Sequence, residues 1–302
     1  METRITRTHK DRLFRMLFAD PDHRQWTLSL YNAVNGTAYT DVDAIQINTI
    51  EDVLFMGMKN DLSFIIDDCL SIYEHQSTPG ANMPVRMLFY VSMLYSKYYE
   101  EKKLNLYSER LNVLPSPSFV VFYNGTKEME DRKILRFTDA VPEGRKSAME
   151  LNVLMLNINY GRNKELMKAS RPLADYAFLI ENIRRNVEMT GDPGESASLA
   201  IKALPEDSPL KGFLVEHEAE VRMRIMTEYN EQETMDLFKK EWHEEGREEG
   251  REEGREEGIA LGETRLANLM TRLKDSGREA DAFRAASDSA YRDSLYREFG
   301  LI

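Results

Sequence analysis

Three polar side chains in an apolar stretch could do chemistry together: Asp61, Glu74 and Gln76. Asp61 opens the run Leu62 to Ile66, Asp67-Asp68 reads as a turn, and Leu70 to Gln76 is a second extended run. Two apolar runs around a short acidic turn make a β-hairpin. On a strand, residues i and i+2 share a face, so Glu74 and Gln76 point together while Tyr73 and His75 point away. The hairpin folds the end of its second strand back onto the start of its first and sets Asp61 beside Glu74. Two carboxylates that close repel unless a cation lies between them or one takes a proton. A hard divalent ion such as Mg²⁺ takes oxygen ligands and keeps waters. Its bound water becomes a nucleophile, and its charge stabilises a phosphate in the transition state. The plainer alternative is a pair of solvated turn acids.

Further groups stand near these three. Arg86 lies on the next helix and suits a phosphate, and Tyr90 follows it one turn later. The two would contact a scissile phosphate, brace Glu74, or form a helix-surface pair. Asp11 would add another acid or simply favour a helix N-terminus. The His75 side chain, directed away from Glu74, reads as structural.

The elements that must hold these groups follow from periodicity. Asp11 to Asn35 reads as a helix pair or bent helix, with Leu13, Phe14, Leu17 and Phe18 on one face and Pro21 as the interruption. Val53 to Met56 reads as an extended segment. A helix starts near Pro84 and runs to about Lys103. Phe119 to Tyr123 is a continuous apolar run ending in Asn124-Gly125, the pattern of a strand buried on both faces. In a strand over Leu151 to Asn159, Leu151, Val153 and Met155 point one way and Leu154, Leu156 and Ile158 the other. Residues 163–190, 195–204 and 209–240 read as helices. The order is that of a mixed α/β core with a C-terminal helical extension.

The segment after that core is a repeat. Gly-Arg-Glu-Glu occurs three times and places Gly246, Gly250, Gly254, Gly258 and Gly262 at a period of four. On a helix Glu248 would pair with Arg251, and Glu252 with Arg255. Each glycine opposes helix by about 1 kcal/mol relative to alanine. A helix whose glycine stripe admits a partner helix and a flexible solvated connector are equally consistent with this pattern. Residues 263–302 form a small helical tail.

The chain has 302 residues and a formal net charge of -12. That charge is unevenly placed: residues 1–180 hold 22 Lys+Arg and 23 Asp+Glu, whereas residues 181–302 hold 18 and 29. Glu241 to Gly258 alone contains nine Glu and three Arg. The front of the chain is therefore neutral, and the acidic total does not exclude a polyanionic partner. Arg4, Arg7, Lys10, Arg12 and Arg15 would steer a polyanion such as DNA by charge, or form an ordinary basic N-terminus, since no base-reading motif accompanies them. No run approaches the ~18 apolar residues of a membrane helix, and Met1 to Lys10 has no signal-peptide core. The single cysteine, Cys69, excludes an internal disulfide and a cysteine-based zinc site. A cytoplasmic protein without membrane contact is the expectation.

Asp61, then twelve residues, then Glu74-His75-Gln76 is similar to the PD-(D/E)XK nuclease signature in its E-x-Q form. Within that superfamily the surroundings resemble the recombination-promoting nuclease (Rpn) and putative transposase family. The resemblance is carried by Asp11 to Phe18, by Tyr73-Glu74-His75-Gln76-Ser77, by Met83 to Tyr90, by Pro117 to Gly125, and by the Gly-Arg-Glu-Glu repeats with their helical tail. It implies a restriction-endonuclease-like mixed sheet flanked by helices over residues 1–160, then a helical extension over 161–240. The repeat over 241–262 and the tail over 263–302 complete the division. It also implies a metal-dependent endonuclease that hydrolyses DNA phosphodiesters, with Mg²⁺ as the ion and Mn²⁺ or Ca²⁺ as substitutes. By position, Asp61 and Glu74 would hold the metal, joined by the backbone carbonyl of His75. Gln76 stands where the superfamily usually has Lys, and Asn60 rather than Pro precedes Asp61. The rival from another class is a catalytically silent DNA-binding or assembly protein on the same scaffold. A third possibility is that the C-terminal helical region is a homo-oligomerisation device whose glycine stripe pairs helices.

Overall fold

The computed structural model describes residues 12–48 and 60–301. Asp11, the extended segment expected at Val53 to Met56, and Arg4, Arg7 and Lys10 lie outside the described residues. The chain divides into two compact units, residues 1–232 and 233–302.

The first unit opens with α1 (Arg12–Phe18) and α2 (Arg24–Asn35), separated by a single 3-10 turn at Pro21. This is the expected helix pair, and Leu13, Phe14, Leu17 and Phe18 are all buried. Gly36 ends α2 in the left-handed region, φ 68°, where a Cβ would be strained. Two strands follow the short β1 (Gln46–Ile47): β2 (Leu62–Ile66) and β3 (Cys69–Gln76). They form the expected antiparallel hairpin, with Leu62 opposite Tyr73 and Ile66 opposite Cys69. Its two-residue loop requires positive φ, which Asp67 supplies at 50°. The Asp67 carboxylate accepts a hydrogen bond of 2.5 Å from the Tyr39 hydroxyl.

The helix α3 (Met83–Glu101) crosses over to β4 (Ser116–Tyr123), which lies parallel to β3. Next come β5 (Arg132–Arg136) and β6 (Asn152–Asn157). The finished sheet has six strands in the order β1-β2-β3-β4-β6-β5. Pairing is parallel between β3, β4 and β6 and antiparallel elsewhere. Its central strands are buried on both faces, as the apolar run in β4 requires. One face sets Phe64, Tyr73, Phe122 and Ile158 in a core with residues of α1 and α2. The other packs Leu70, Ile72, Val121, Tyr123, Val153 and Met155 against Met83, Met87, Tyr90 and Leu94 of α3. The alternation expected along β6 is therefore present.

Helices α4 (Lys164–Ala169), α5 (Arg171–Thr190), α6 (Pro193–Ala203) and α7 (Lys211–Glu216) follow, then α8 (Glu218–Asp275). The helix expected over 163–190 breaks at Ser170, because Pro172 has no N–H to continue it and suits a first turn. Leu173, Tyr176 and Leu179 of α5, with Ala197 and Ile201 of α6, join the same core as α1. Asp192 caps α6 through the N–H groups of Gly194 and Glu195.

The repeat lies within α8 and is helical. A Cβ built at Gly246, Gly250, Gly254, Gly258 or Gly262 meets nothing within 4 Å. Helix on both sides makes the repeat a matter of propagation rather than nucleation, which is why five glycines do not interrupt it. Glu252 and Arg255 form the expected i, i+3 pair at 3.0 Å. In the second unit α9 (Glu279–Ser287) and α10 (Ser289–Glu298) enclose a small core of Leu269, Leu273, Ala285 and Leu295. Among the described residues no helix is long and apolar enough to cross a membrane.

Candidate active site

The hairpin register places Asp61, one residue before β2, across from Glu74. The Asp61 backbone N–H donates to Glu74 Oε1 at 3.1 Å. In return the His75 N–H donates to Asp61 Oδ2 at 2.9 Å. Asp61 is 0% exposed and Glu74 1%. The expected convergence is present, and it differs from a pair of solvated turn acids. Both acids are buried, and each is engaged by a main-chain N–H beside the other.

Glu74 shares its face of β3 with Ile72, so it meets α3. That helix begins at Met83-Pro84 and carries Arg86 and Tyr90 one turn apart. Arg86 Nη2 donates to Glu74 Oε2 at 2.8 Å and to the Tyr90 hydroxyl at 2.9 Å. Arg86 Nη1 lies 3.1 Å from Met83 Sδ. The Gln76 amide satisfies both ends when its oxygen accepts from Arg86 Nη1 and its nitrogen donates to the Thr78 carbonyl at 3.1 Å. In the opposite orientation its nitrogen would meet only Met83 Sδ at 3.0 Å. Arg86 thus joins three of the residues singled out from sequence. Of the three choices open for Arg86 and Tyr90, bracing Glu74 is the one the geometry displays.

Burial works against the Arg86 charge, but Glu74, Tyr90 and Asp61 together outweigh it and raise its pKa. Burial also raises the Tyr90 phenol, and Glu74 adds to that rise while Arg86 opposes it. Tyr90 therefore stays a neutral hydroxyl at ordinary pH, able to accept from Arg86.

His75 follows the strand's alternation. Its side chain enters the opposite core, where Nε2 lies 3.1 Å from the Tyr176 hydroxyl and the ring lies 5.1 Å from Phe14. Only its main chain faces Asp61. A second set of polar groups, not among the candidates from sequence, lies at the C-terminal ends of β3 and β4. The Asn124 N–H donates to the Gln76 carbonyl at 2.9 Å. Arg184 of α5 donates to the Asn124 carbonyl at 2.5 Å and to Asn159 Oδ1 at 3.1 Å. Asn159 Nδ2 reaches the Gly125 carbonyl at 3.0 Å. This network fixes the strand end that carries Gln76. The Asn124-Gly125 turn was its one local signal, since Arg184 lies sixty residues further on.

The donor set suits a hard divalent ion in its chemistry: two adjacent carboxylates and the amide oxygen of Gln76 on the same face of β3. Among the described residues no group of three or more His, Cys, Asp or Glu side chains converges, so a third ligand would come from Gln76 or the main chain. No protein-family model, no curated protein and no solved structure matches the chain.

Proposed function

We propose that the first unit is a PD-(D/E)XK-like, metal-dependent endonuclease of the recombination-promoting nuclease and putative transposase type, hydrolysing DNA phosphodiesters. One observation carries this reading: Asp61 and Glu74 converge, buried, at the start of β2 and the end of β3, with Glu74 held by an arginine. The mixed sheet, with α3 on one face and α1 and α5 on the other, is compatible with that fold.

Asp61 and Glu74 would hold the ion, with the His75 carbonyl as a further ligand. A divalent ion there supplies a bound water of lowered pKa and positive charge toward the scissile phosphate. Gln76 orients water or a ligand by hydrogen bonding and contributes no charge. Arg86 supplies charge toward the phosphate, and Tyr90 keeps its guanidinium in place. Plasmid nicking with Mg²⁺ or Mn²⁺ tests the reading, with Asp61→Ala and Glu74→Ala as controls. Cleavage that depends on the ion and vanishes in both variants supports it. Cleavage unchanged in both shows that the site is wrong.

A second reading has its own support in Gln76, which lacks a charge, and in the Arg86–Glu74 pair, which satisfies the acid without any ion. On that reading the unit is a silent DNA-binding or assembly scaffold. It requires DNA binding with no cleavage under any divalent ion.

A further inference from the structure

We infer that Arg86 is an exchangeable counter-ion: it holds Glu74 in the metal-free protein and gives it up, freeing its own charge for a phosphate, when a divalent cation is taken up. The inference rests on the reading of Asp61 and Glu74 as metal ligands.

Asp61 and Glu74 are 0% and 1% exposed, whereas the Arg86 side chain is 35% exposed and Gln76 is partly exposed. Solvent reaches the cluster on the side of these two residues, and the guanidinium sits there on Glu74 Oε2. A cation arriving from that side therefore meets Arg86 or Gln76 before it meets Glu74.

Glu74 Oε1 accepts from the Asp61 N–H at 3.1 Å and Oε2 from Arg86 at 2.8 Å. An ion that binds Glu74 through Oε2 competes with the guanidinium for the same oxygen and is repelled by its charge, so Arg86 leaves Glu74 as the ion enters.

The displaced guanidinium keeps its other neighbours. Its other contacts are neutral: the Tyr90 hydroxyl at 2.9 Å, Met83 Sδ at 3.1 Å and the Gln76 amide. These keep the guanidinium beside the site after Glu74 is lost. There it presents a planar pair of donors, the shape that suits a phosphate. Gln76 cannot supply that charge. Arg86 is thus a positioning residue for Glu74 before metal uptake and a phosphate contact after it.

The direction of one measurement separates exchange from bracing. The full-length protein is titrated with Mn²⁺, and free Mn²⁺ is read by electron paramagnetic resonance. Exchange makes Arg86 a competitor, so Arg86→Met binds Mn²⁺ about tenfold more tightly than the wild type, the factor by which the closed pair suppresses the competent state. Arg86→Lys keeps a charge but not the several contacts, and binds about threefold more tightly. It also serves should Arg86→Met fail to fold, which circular dichroism reports. Unchanged or weaker binding in both variants, with binding abolished in Asp61→Ala, overturns the exchange and leaves the metal site standing. Absence of Mn²⁺ binding in the folded wild type and both Arg86 variants overturns the inference and the metal reading together.

Discussion

Glu74→Gln isolates the charge of the buried acid. The amide keeps an oxygen for the Asp61 N–H at 3.1 Å and loses the negative charge that faces Arg86 at 2.8 Å. A hydrogen bond to a charged group contributes about 1.5–3 kcal/mol. Arg86 is 35% exposed, which moves the value toward the ~0.2–1 kcal/mol of a solvent-screened pair. The expected loss is about 1–2 kcal/mol. In a unit of this size each kcal/mol moves Tm by about 2–4 °C, so Tm falls by about 2–8 °C. Urea unfolding followed by tryptophan fluorescence measures it, with Trp26 buried in α2 as a reporter for the first unit. A double-mutant cycle with Arg86→Met then gives the coupling of the two side chains. A stability that stays level or rises in Glu74→Gln, or a coupling near zero, would refute the claim that the Arg86 charge holds Glu74.

Other perturbations test other parts of the molecule. In Gly125→Ala the new Cβ would lie 1.9 Å from the Ser77 carbonyl and 2.6 Å from the Tyr123 hydroxyl. The turn must shift, at a cost of about 1–3 kcal/mol in a urea melt, and an unchanged midpoint would disprove the close approach. The double substitution Gly250→Ala, Gly254→Ala meets no atom within 4 Å and favours helix by about 1 kcal/mol per site. Far-ultraviolet circular dichroism during heating should show later loss of helix, and earlier loss would argue against the open helical repeat. In the tail, the hydrogen bond from Arg278, aided by Tyr291, holds the Asp281 carboxyl below its ordinary value of 3.8. A carboxyl depressed on folding stabilises above its unfolded pKa, and that contribution is lost as pH falls through the lower, folded value. Carboxyl NMR should therefore place the Asp281 midpoint below 3.8 and return it toward 3.8 in Arg278→Ala; a wild-type midpoint at or above 3.8 rejects the contact.

The hairpin was legible because its signal is local: a period of two, a two-residue turn, and polar Glu74 and Gln76 on one face of an apolar strand. The convergence of Asp61 with Glu74 follows from that register alone. Less local features escaped. The strand β5 carries Arg132, Lys133 and Arg136, exposed on a sheet edge where charge discourages further pairing. Its apolar content is only Ile134 and Leu135, too little for a strand signal. The Arg184 network joins groups from three distant parts of the chain, which no sequence period reports. Arg86 was recognisable as a functional group, but its attachment to Glu74 depends on how α3 lies on the sheet. The repeat was balanced between helix and connector because propensity weighed only its own residues and not the helix that continues through it.

The period of that repeat does not match the pitch of the helix containing it. Four residues turn an α-helix through about 400°, so each Gly-Arg-Glu-Glu unit advances about 6 Å and rotates by about 40° beyond a full turn. The five glycines of α8 therefore trace a slow spiral instead of a straight seam, and their acids and arginines spiral with them. Gaining or losing one unit would act as a screw, turning the helix downstream by about 40°. The original phase would return only after about nine units. A straight partner helix would meet glycine for little more than two successive units before the charged side chains rotated into its path.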